Sequence, residues 1–353
     1  MSYLGFDIGG ANIKVSALQA DDLFRLRSIK LHYPLWVRGI ENLPNAIRHA
    51  INLLGDDKHD GVAVTMTAEL SDVFKDKREG VNEVIKAIRS VVRDFKVITV
   101  KGQLIDPKDA VERYLDVAAA NWWAVGWFAS ILEENCIVVD VGSTTTTITP
   151  VVNGKPSPQG LNDVEKMIVG EIVYVGSLRT PLSSVGALIP LNGAWCRVSS
   201  EYFANIGDVN RLLNHISEDE YDVETPDRRG KSIEDCHNRL SRTVCGDGKM
   251  LTLLQTKLIA RFLYERAVEM IFNGLIQVLS RLASEGNLPS VAFAAGLGDF
   301  MALDAIKRAG IEGIVLRDII GRDNSIALTS ASLATYLAHS LGVDVKRWIS
   351  SLK

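Results

Sequence analysis

Tyr3-Leu-Gly-Phe-Asp-Ile-Gly-Gly-Ala-Asn12 decides the fold, because the same grammar returns at Cys136-Ile-Val-Val-Asp-Val-Gly-Ser-Thr-Thr145. In both, an apolar run leads into Asp, an apolar residue, Gly and small polar residues. A second apolar stretch follows each, Ile13 to Leu18 and Thr147 to Val152. The pattern predicts two β-hairpins, each with an Asp and a Gly-rich turn at its tip. The copies stand about one domain length apart, so the chain reads as an internal duplication.

Between the hairpins, Pro44 to Leu54 has helical spacing, Gly61 to Met66 reads as a buried strand and Val81 to Val92 as a helix. Val97 to Val100 reads as a further strand, and Asp109 to Leu132 as one or two helices rich in Ala and Trp. Strands and helices alternate, the signature of an α/β domain. From about 154 to 248 the pattern loosens around Pro156, Pro158, Pro181, Pro190 and Pro226, and reads as an insertion carrying substrate specificity. A long amphipathic helix from Leu251 to Leu282 then leads to a strand, Val291-Ala-Phe-Ala-Ala295. The last helix, Ser325 to Leu341, follows Asp323-Asn324, which are good capping residues.

The length of 353 residues suggests two domains, and 47% hydrophobic with 23% charged residues excludes a disordered or collagen-like chain. A formal net charge of -4 gives no electrostatic case for nucleic acid or an anionic membrane as the main partner, so a small ligand is expected. The four cysteines show no C-x-x-C pair, which suits a reduced, cytoplasmic protein. Cys236, His237 and Cys245 lack a fourth ligand at zinc spacing. No leader peptide and no membrane span are expected, since Glu269, Asn273 and Gln277 interrupt even the apolar segment from Ala267 to Leu282.

Backbone N–H groups in a tight glycine turn converge on one point that a phosphate can occupy. Two such turns facing each other would hold a diphosphate or triphosphate from both sides. Asp7 and Asp140, one beside each turn, would then position Mg²⁺ directly or through its waters.

Three segments carry a family resemblance: Asp7-Ile-Gly-Gly-Ala-Asn-Ile-Lys14, Asp140-Val-Gly-Ser-Thr-Thr-Thr146 and Ala294-Ala-Gly-Leu-Gly-Asp299. They resemble the two phosphate motifs and the adenosine motif of the acetate and sugar kinase, heat-shock chaperone and actin superfamily, nearest to its hydantoinase and oxoprolinase branch. Further stretches narrow the resemblance: Thr67-Ala-Glu-Leu70, Ala119-Ala-Asn-Trp122, Tyr174-Val-Gly-Ser-Leu-Arg-Thr-Pro181, Ser199-Ser-Glu-Tyr-Phe-Ala204, Thr225-Pro-Asp227, and Cys236 with Arg239-Leu240. These are similar to an archaeal and methylotroph family linked to tetrahydromethanopterin-dependent one-carbon metabolism. The chain departs from that family at Thr147, where Asp is common, and slightly at Ala120.

The resemblance implies an α/β fold of two actin-like (ribonuclease H-like) domains with a phosphate-binding cleft between them. The expected domains are 1–131, joined by the C-terminal helix 329–353, and 132–328. The implied activity is that of a transferase in methanofuran biosynthesis. It condenses aminomethyl-furanmethanol diphosphate with γ-glutamyltyramine, forming an aryl ether and releasing pyrophosphate. Mg²⁺ is then the expected cofactor, ATP is not required, and a homo-oligomer is compatible with the sequence.

Under this reading Gly9, Gly10, Asn12, Gly142, Ser143 and Thr144 supply phosphate donors, with Gly296 and Gly298 as a third glycine element. Lys14 neutralises leaving-group charge and Arg179 adds a further phosphate contact. Glu69 and Glu201 are candidate bases for the phenol, and Trp122 and Trp123 candidate walls for an aromatic ring. Each has a structural alternative. Glu69 and Glu201 would also serve as helix caps, the tryptophans as core, Lys14 as a solvated strand residue and Arg179 as half of an ion pair. The charged run at Asp227, Arg228, Arg229 and Lys231 reads as a solvated loop or a mobile lid. Two other functions compete: an ATP-dependent kinase or amide hydrolase, with adenosine at Gly296-Leu-Gly298, and a filament or chaperone-like nucleotide switch.

Overall fold

The computed structural model describes residues 1–21, 24–55 and 58–352; the expected C-terminal helix 329–353 is instead two helices, Leu328–Ser340 and Val345–Ser350, parted at Gly342 with φ 90°, and its last residue lies outside the described ones. Fourteen strands form among the described residues. In the first half they are β1 Ser2–Ile8, β2 Asn12–Gln19, β3 Arg25–His32, β4 Gly61–Met66, β5 Lys96–Ile98 and β6 Leu104–Ile105. In the second they are β7 Cys136–Val141, β8 Thr146–Val152, β9 Lys155–Pro156, β10 Ile172–Val173, β11 Leu188–Leu191, β12 Ala194–Arg197, β13 Val291–Ala295 and β14 Glu312–Val315.

The first sheet has the order β3-β2-β1-β4-β5-β6, and the second β10-β8-β7-β13-β14 with β9 beside β8. Each is mixed in the same way. β1 pairs antiparallel with β2 and parallel with β4, while β7 pairs antiparallel with β8 and parallel with β13. All seven residues of β1 are buried, as its unbroken apolar run requires of a strand covered on both faces. β3, at the sheet edge, alternates charged and apolar residues, a composition that discourages pairing with another chain.

Two helices join the sheets. Leu328–Ser340 packs on β1, β2 and β4 and against Asn121–Leu132, which packs on β7 and β8. A shared apolar core containing Tyr3, Phe128, Val138, Phe293 and Leu333 therefore belongs to both halves. Approach is close at Gly5, where any Cβ would collide with the backbone oxygen of Ser330. Ser16 and Ser330 meet there through buried hydroxyls 2.7 Å apart. In the second half the helix Leu253–Ser284 starts at a Thr252/Gln255 capping box and buries Ile259, Leu263, Ala267, Ile271 and Leu275 at four-residue spacing.

Three local expectations are corrected. Asp109 to Leu132 forms short helical turns and one full helix, because the chain breaks at Ala119, which has φ 51°. Asp323-Asn324 does not cap the last helix. It lies inside a separate turn, Arg322–Ile326, where Asn324 donates to the carbonyls of Leu26 and Ile320 and accepts from Ser28. The run after Thr225 is not simply solvated, since Asp227 binds Arg239 at 3.0 Å and Arg242 at 3.2 Å.

Candidate active site

The two hairpin tips are built alike. In β1–β2, Asp7 stands opposite Lys14 and the Gly9 N–H donates to the Asn12 carbonyl at 2.9 Å. In β7–β8, Asp140 stands opposite Thr147 and the Gly142 N–H donates to the Thr145 carbonyl, also at 2.9 Å. The tips meet where Asn12 Nδ2 donates to Ser143 Oγ at 3.2 Å. Above them opens a cavity of about 580 Å³, lined by Asp7, Gly9, Gly10, Asn12 and Lys14 from one tip. Asp140, Gly142, Ser143, Thr144 and Thr147 line it from the other.

Negative charge is under-compensated at its floor. Burial raises the pKa of Asp7 against the lowering pull of Lys14, whose Nζ is 3.6 Å away. Asp7 Oδ1 is shielded from solvent and has no hydrogen-bond partner. Burial likewise pushes Asp140 up to about 6, with Lys14 lowering it and Asp7 raising it. Two desolvated carboxylates sharing one ammonium suit an added cation. Among the described residues no group of three or more His, Cys, Asp or Glu could hold a metal ion. A pair of carboxylates completed by water and substrate phosphates is nevertheless the usual protein share of a Mg²⁺ site.

Tyr174 to Pro181 wraps the second tip. The N–H of Ser177 donates to the Gly142 carbonyl at 2.9 Å, and those of Leu178 and Arg179 to the Ser143 carbonyl at 3.1 and 2.9 Å. Gly176 is required there, because a Cβ would press into the Thr144 backbone. The wrap delivers Arg179 into the cavity, where its guanidinium lies 4.4 Å from the centre of the Trp36 ring and Nη1 donates to Thr144 Oγ1 at 3.3 Å. No carboxylate pairs with Arg179 among the described residues. Trp36 and Tyr174 are the aromatic residues lining the cavity. Trp36 sits on a four-residue helix, Leu35–Arg38, too short to leave a periodic signal in the sequence.

Other expected site residues lie elsewhere. Glu201 is exposed and does not line the cavity; nor does it cap a helix, since the next one begins at Ile206 behind Asn205. Glu69 is 1% exposed, sits inside the short turn Ala68–Leu70 and does not line the cavity. Burial pushes its pKa up to about 8. Neither carboxylate oxygen of Glu69 has a hydrogen-bond partner, and Lys77 Nζ is 3.9 Å away. Lys77 also holds Asp163, a cavity residue of the second half, at 2.7 Å.

Trp122 is buried with Lys166 over its ring, and Trp123 packs on Tyr336. Gly296 and Gly298 lie behind Asp140. A Cβ on Gly296 would strike the Asp140 carboxylate, and the Gly298 N–H donates to the Val141 carbonyl at 2.9 Å. They hold the end of β7 and do not line the cavity. His237 bonds Thr256 and the Gly248 carbonyl, and Cys236 bonds the Lys231 carbonyl.

Two mixed sheets with matched Asp-bearing glycine turns across a cleft define an actin-like α/β protein. Acetone carboxylase in its nucleotide-free structure shares this fold, with a TM-score of 0.56 at 12% identity over 95% of this chain and 70% of that one. The hydantoinase/oxoprolinase family model matches residues 60–336, and the chain belongs to that family. It is 34% identical over 340 residues to the (4-{4-[2-(gamma-L-glutamylamino)ethyl]phenoxymethyl}furan-2-yl)methanamine synthase of Methanocaldococcus jannaschii, covering 96% of this chain and 98% of that one. The synthase of the same name from Methanococcus vannielii is 32% identical over 220 residues, 61% of this chain and 96% of that one. No helix among the described residues is long and apolar enough to cross a membrane.

Proposed function

We propose that the chain is an aryl-ether-forming synthase of methanofuran biosynthesis, joining a furan-methyl diphosphate to the phenol of γ-glutamyltyramine. Near-full-length identity of 34% to a synthase named for that ether product carries the reading. The phenol oxygen bonds to the furan methylene carbon as the bond from that carbon to the diphosphate oxygen breaks; pyrophosphate and the phenol proton leave. An electron-rich furan stabilises positive charge on the methylene, so the barrier lies mostly in the departure of the diphosphate.

The residues lining the cavity suit that step. Ser143 and Thr144 offer hydroxyl donors, and Lys14 and Arg179 offer positive charge, whereas the Gly9 and Gly142 N–H groups expected to face phosphate are taken by the Asn12 and Thr145 carbonyls and shape the turns. Asp7 and Asp140 would hold Mg²⁺, which when bound supplies further charge neutralisation for the leaving group. Trp36, already under Arg179, presents a ring face that favours a cationic furan. The phenol becomes strongly acidic once its oxygen is alkylated. A weak acceptor such as the departing diphosphate then suffices, and Glu69 and Glu201 need not serve as bases.

The competing reading is ATP-dependent chemistry in the same cleft. Incubation with ATP and Mg²⁺ alone, then with the furan diphosphate and γ-glutamyltyramine, separates the two. The transferase leaves ATP intact and releases pyrophosphate only from the second mixture. Rapid ATP hydrolysis with no pyrophosphate from the second mixture would overturn the assignment.

A further inference from the structure

Beside the cleft lies a second open cavity of about 520 Å³, between the end of β3 and the helix Leu43–Leu54. The helix Leu35–Arg38 is the partition. Trp36 faces the cleft, while Val37 and Arg38 line the second cavity. One turn of chain parts the two spaces, since Trp36 of the cleft and Val37 of the second cavity are neighbours in sequence.

The lining is one-sided in its chemistry. Arg38, His32 and His49 supply a cation and two imidazoles and Asn42 and Asn45 supply carboxamides; no Asp or Glu lines the space, although Asp222 acts on His32 and Glu41 on Tyr33 from beside it. Both ring nitrogens of His32 are shielded from solvent and lack a hydrogen-bond partner, so His32 shapes the wall, and Arg38 and His49 are the charged or titratable groups left to meet a ligand. Arg38 has no carboxylate partner among the described residues and lies 6.0 Å from the centre of the Tyr33 ring. Such a set matches a free amino-acid head. The Arg38 guanidinium and the His49 imidazole would take its carboxylate, and Asn42 Oδ1 its ammonium, since Asn45 Oδ1 already accepts from Arg48 at 2.7 Å.

We propose that this cavity is an acceptor subsite that holds the γ-glutamyl head of γ-glutamyltyramine while the phenol reaches past Trp36 into the cleft. The inference rests on the acceptor chemistry proposed above and adds the residues that read it. It makes Arg38 and His49 specificity residues, remote from the bonds that change. The glutamyl head then contributes binding energy that orients the phenol.

The test compares pyrophosphate release with γ-glutamyltyramine and with tyramine, for the wild type and for Arg38→Ala and His49→Gln. Arg38→Ala is expected to lower the ratio of the two kcat/KM values about tenfold, chiefly through KM for γ-glutamyltyramine. An unchanged ratio in both variants would overturn the subsite. If the wild type releases no pyrophosphate with either acceptor, the transferase reading itself has failed. Calorimetric binding then decides the cavity alone. Tighter binding of γ-glutamyltyramine than of tyramine, lost in Arg38→Ala, supports it; equal binding of the two overturns it.

Discussion

Asp140 ties the chemistry of the cleft to pH. Its carboxyl is raised to about 6 by burial, and a cation needs the charged form. Under the proposed Mg²⁺ role, the cation would displace a proton below pH 6, so its affinity is expected to weaken as pH falls through 6 and to level off above 7. Calorimetry in buffers of different ionisation heat should detect proton release near pH 5.5 and none near pH 8. Arg179→Lys would keep the charge but lose the planar stack on Trp36 and the fork toward phosphate. The expected cost is roughly 10- to 100-fold in kcat/KM, measured by pyrophosphate release.

Glu69 is a residue whose effect falls on stability. Its folded pKa of about 8 stands above its unfolded value of 4.5, so the folded protein binds the extra proton between them. Stability is then greatest below about pH 4.5 on this account and falls as pH rises toward 8. Glu69→Gln mimics the protonated form and should flatten that decline in Tm while retaining most activity. A wild-type Tm already flat from pH 5 to 8 would contradict it.

At the scale of elements, the glycine-tipped hairpins line the cavity, and the wrap from Tyr174 to Pro181 fixes the shape of one of them. Gly176→Val would push the Thr144 backbone out of place while the sheets stay intact. Activity should fall about 100-fold with an unchanged circular dichroism spectrum. Both hairpins were legible from sequence because Asp, Gly and the flanking apolar runs act within ten residues. The roles of Gly296, Glu201 and Trp123 were not. Gly296 matters through a carboxylate more than 150 positions away, Glu201 depends on where a helix starts, and Trp123 turns toward Tyr336 on the helix Leu328–Ser340. Trp36 lay hidden because a four-residue helix has no period to read.

Across the whole molecule, the repeated hairpins need each other. Asn12 and Ser143 join the tips, Lys77 and Asp163 link the halves at the cavity, and the core around Phe128 and Leu333 spans both sheets. The cavity lining sets Lys14 and Arg179 against Asp7, Asp72, Asp140 and Asp163, so an anionic diphosphate would need the proposed cation between it and the carboxylates. The most direct test is an ATP-free reaction of the protein with the furan diphosphate, γ-glutamyltyramine and Mg²⁺, with product mass and pyrophosphate followed together. The account predicts one aryl ether formed for each pyrophosphate released. Pyrophosphate without ether, or ether formation that depends on ATP hydrolysis, would contradict it.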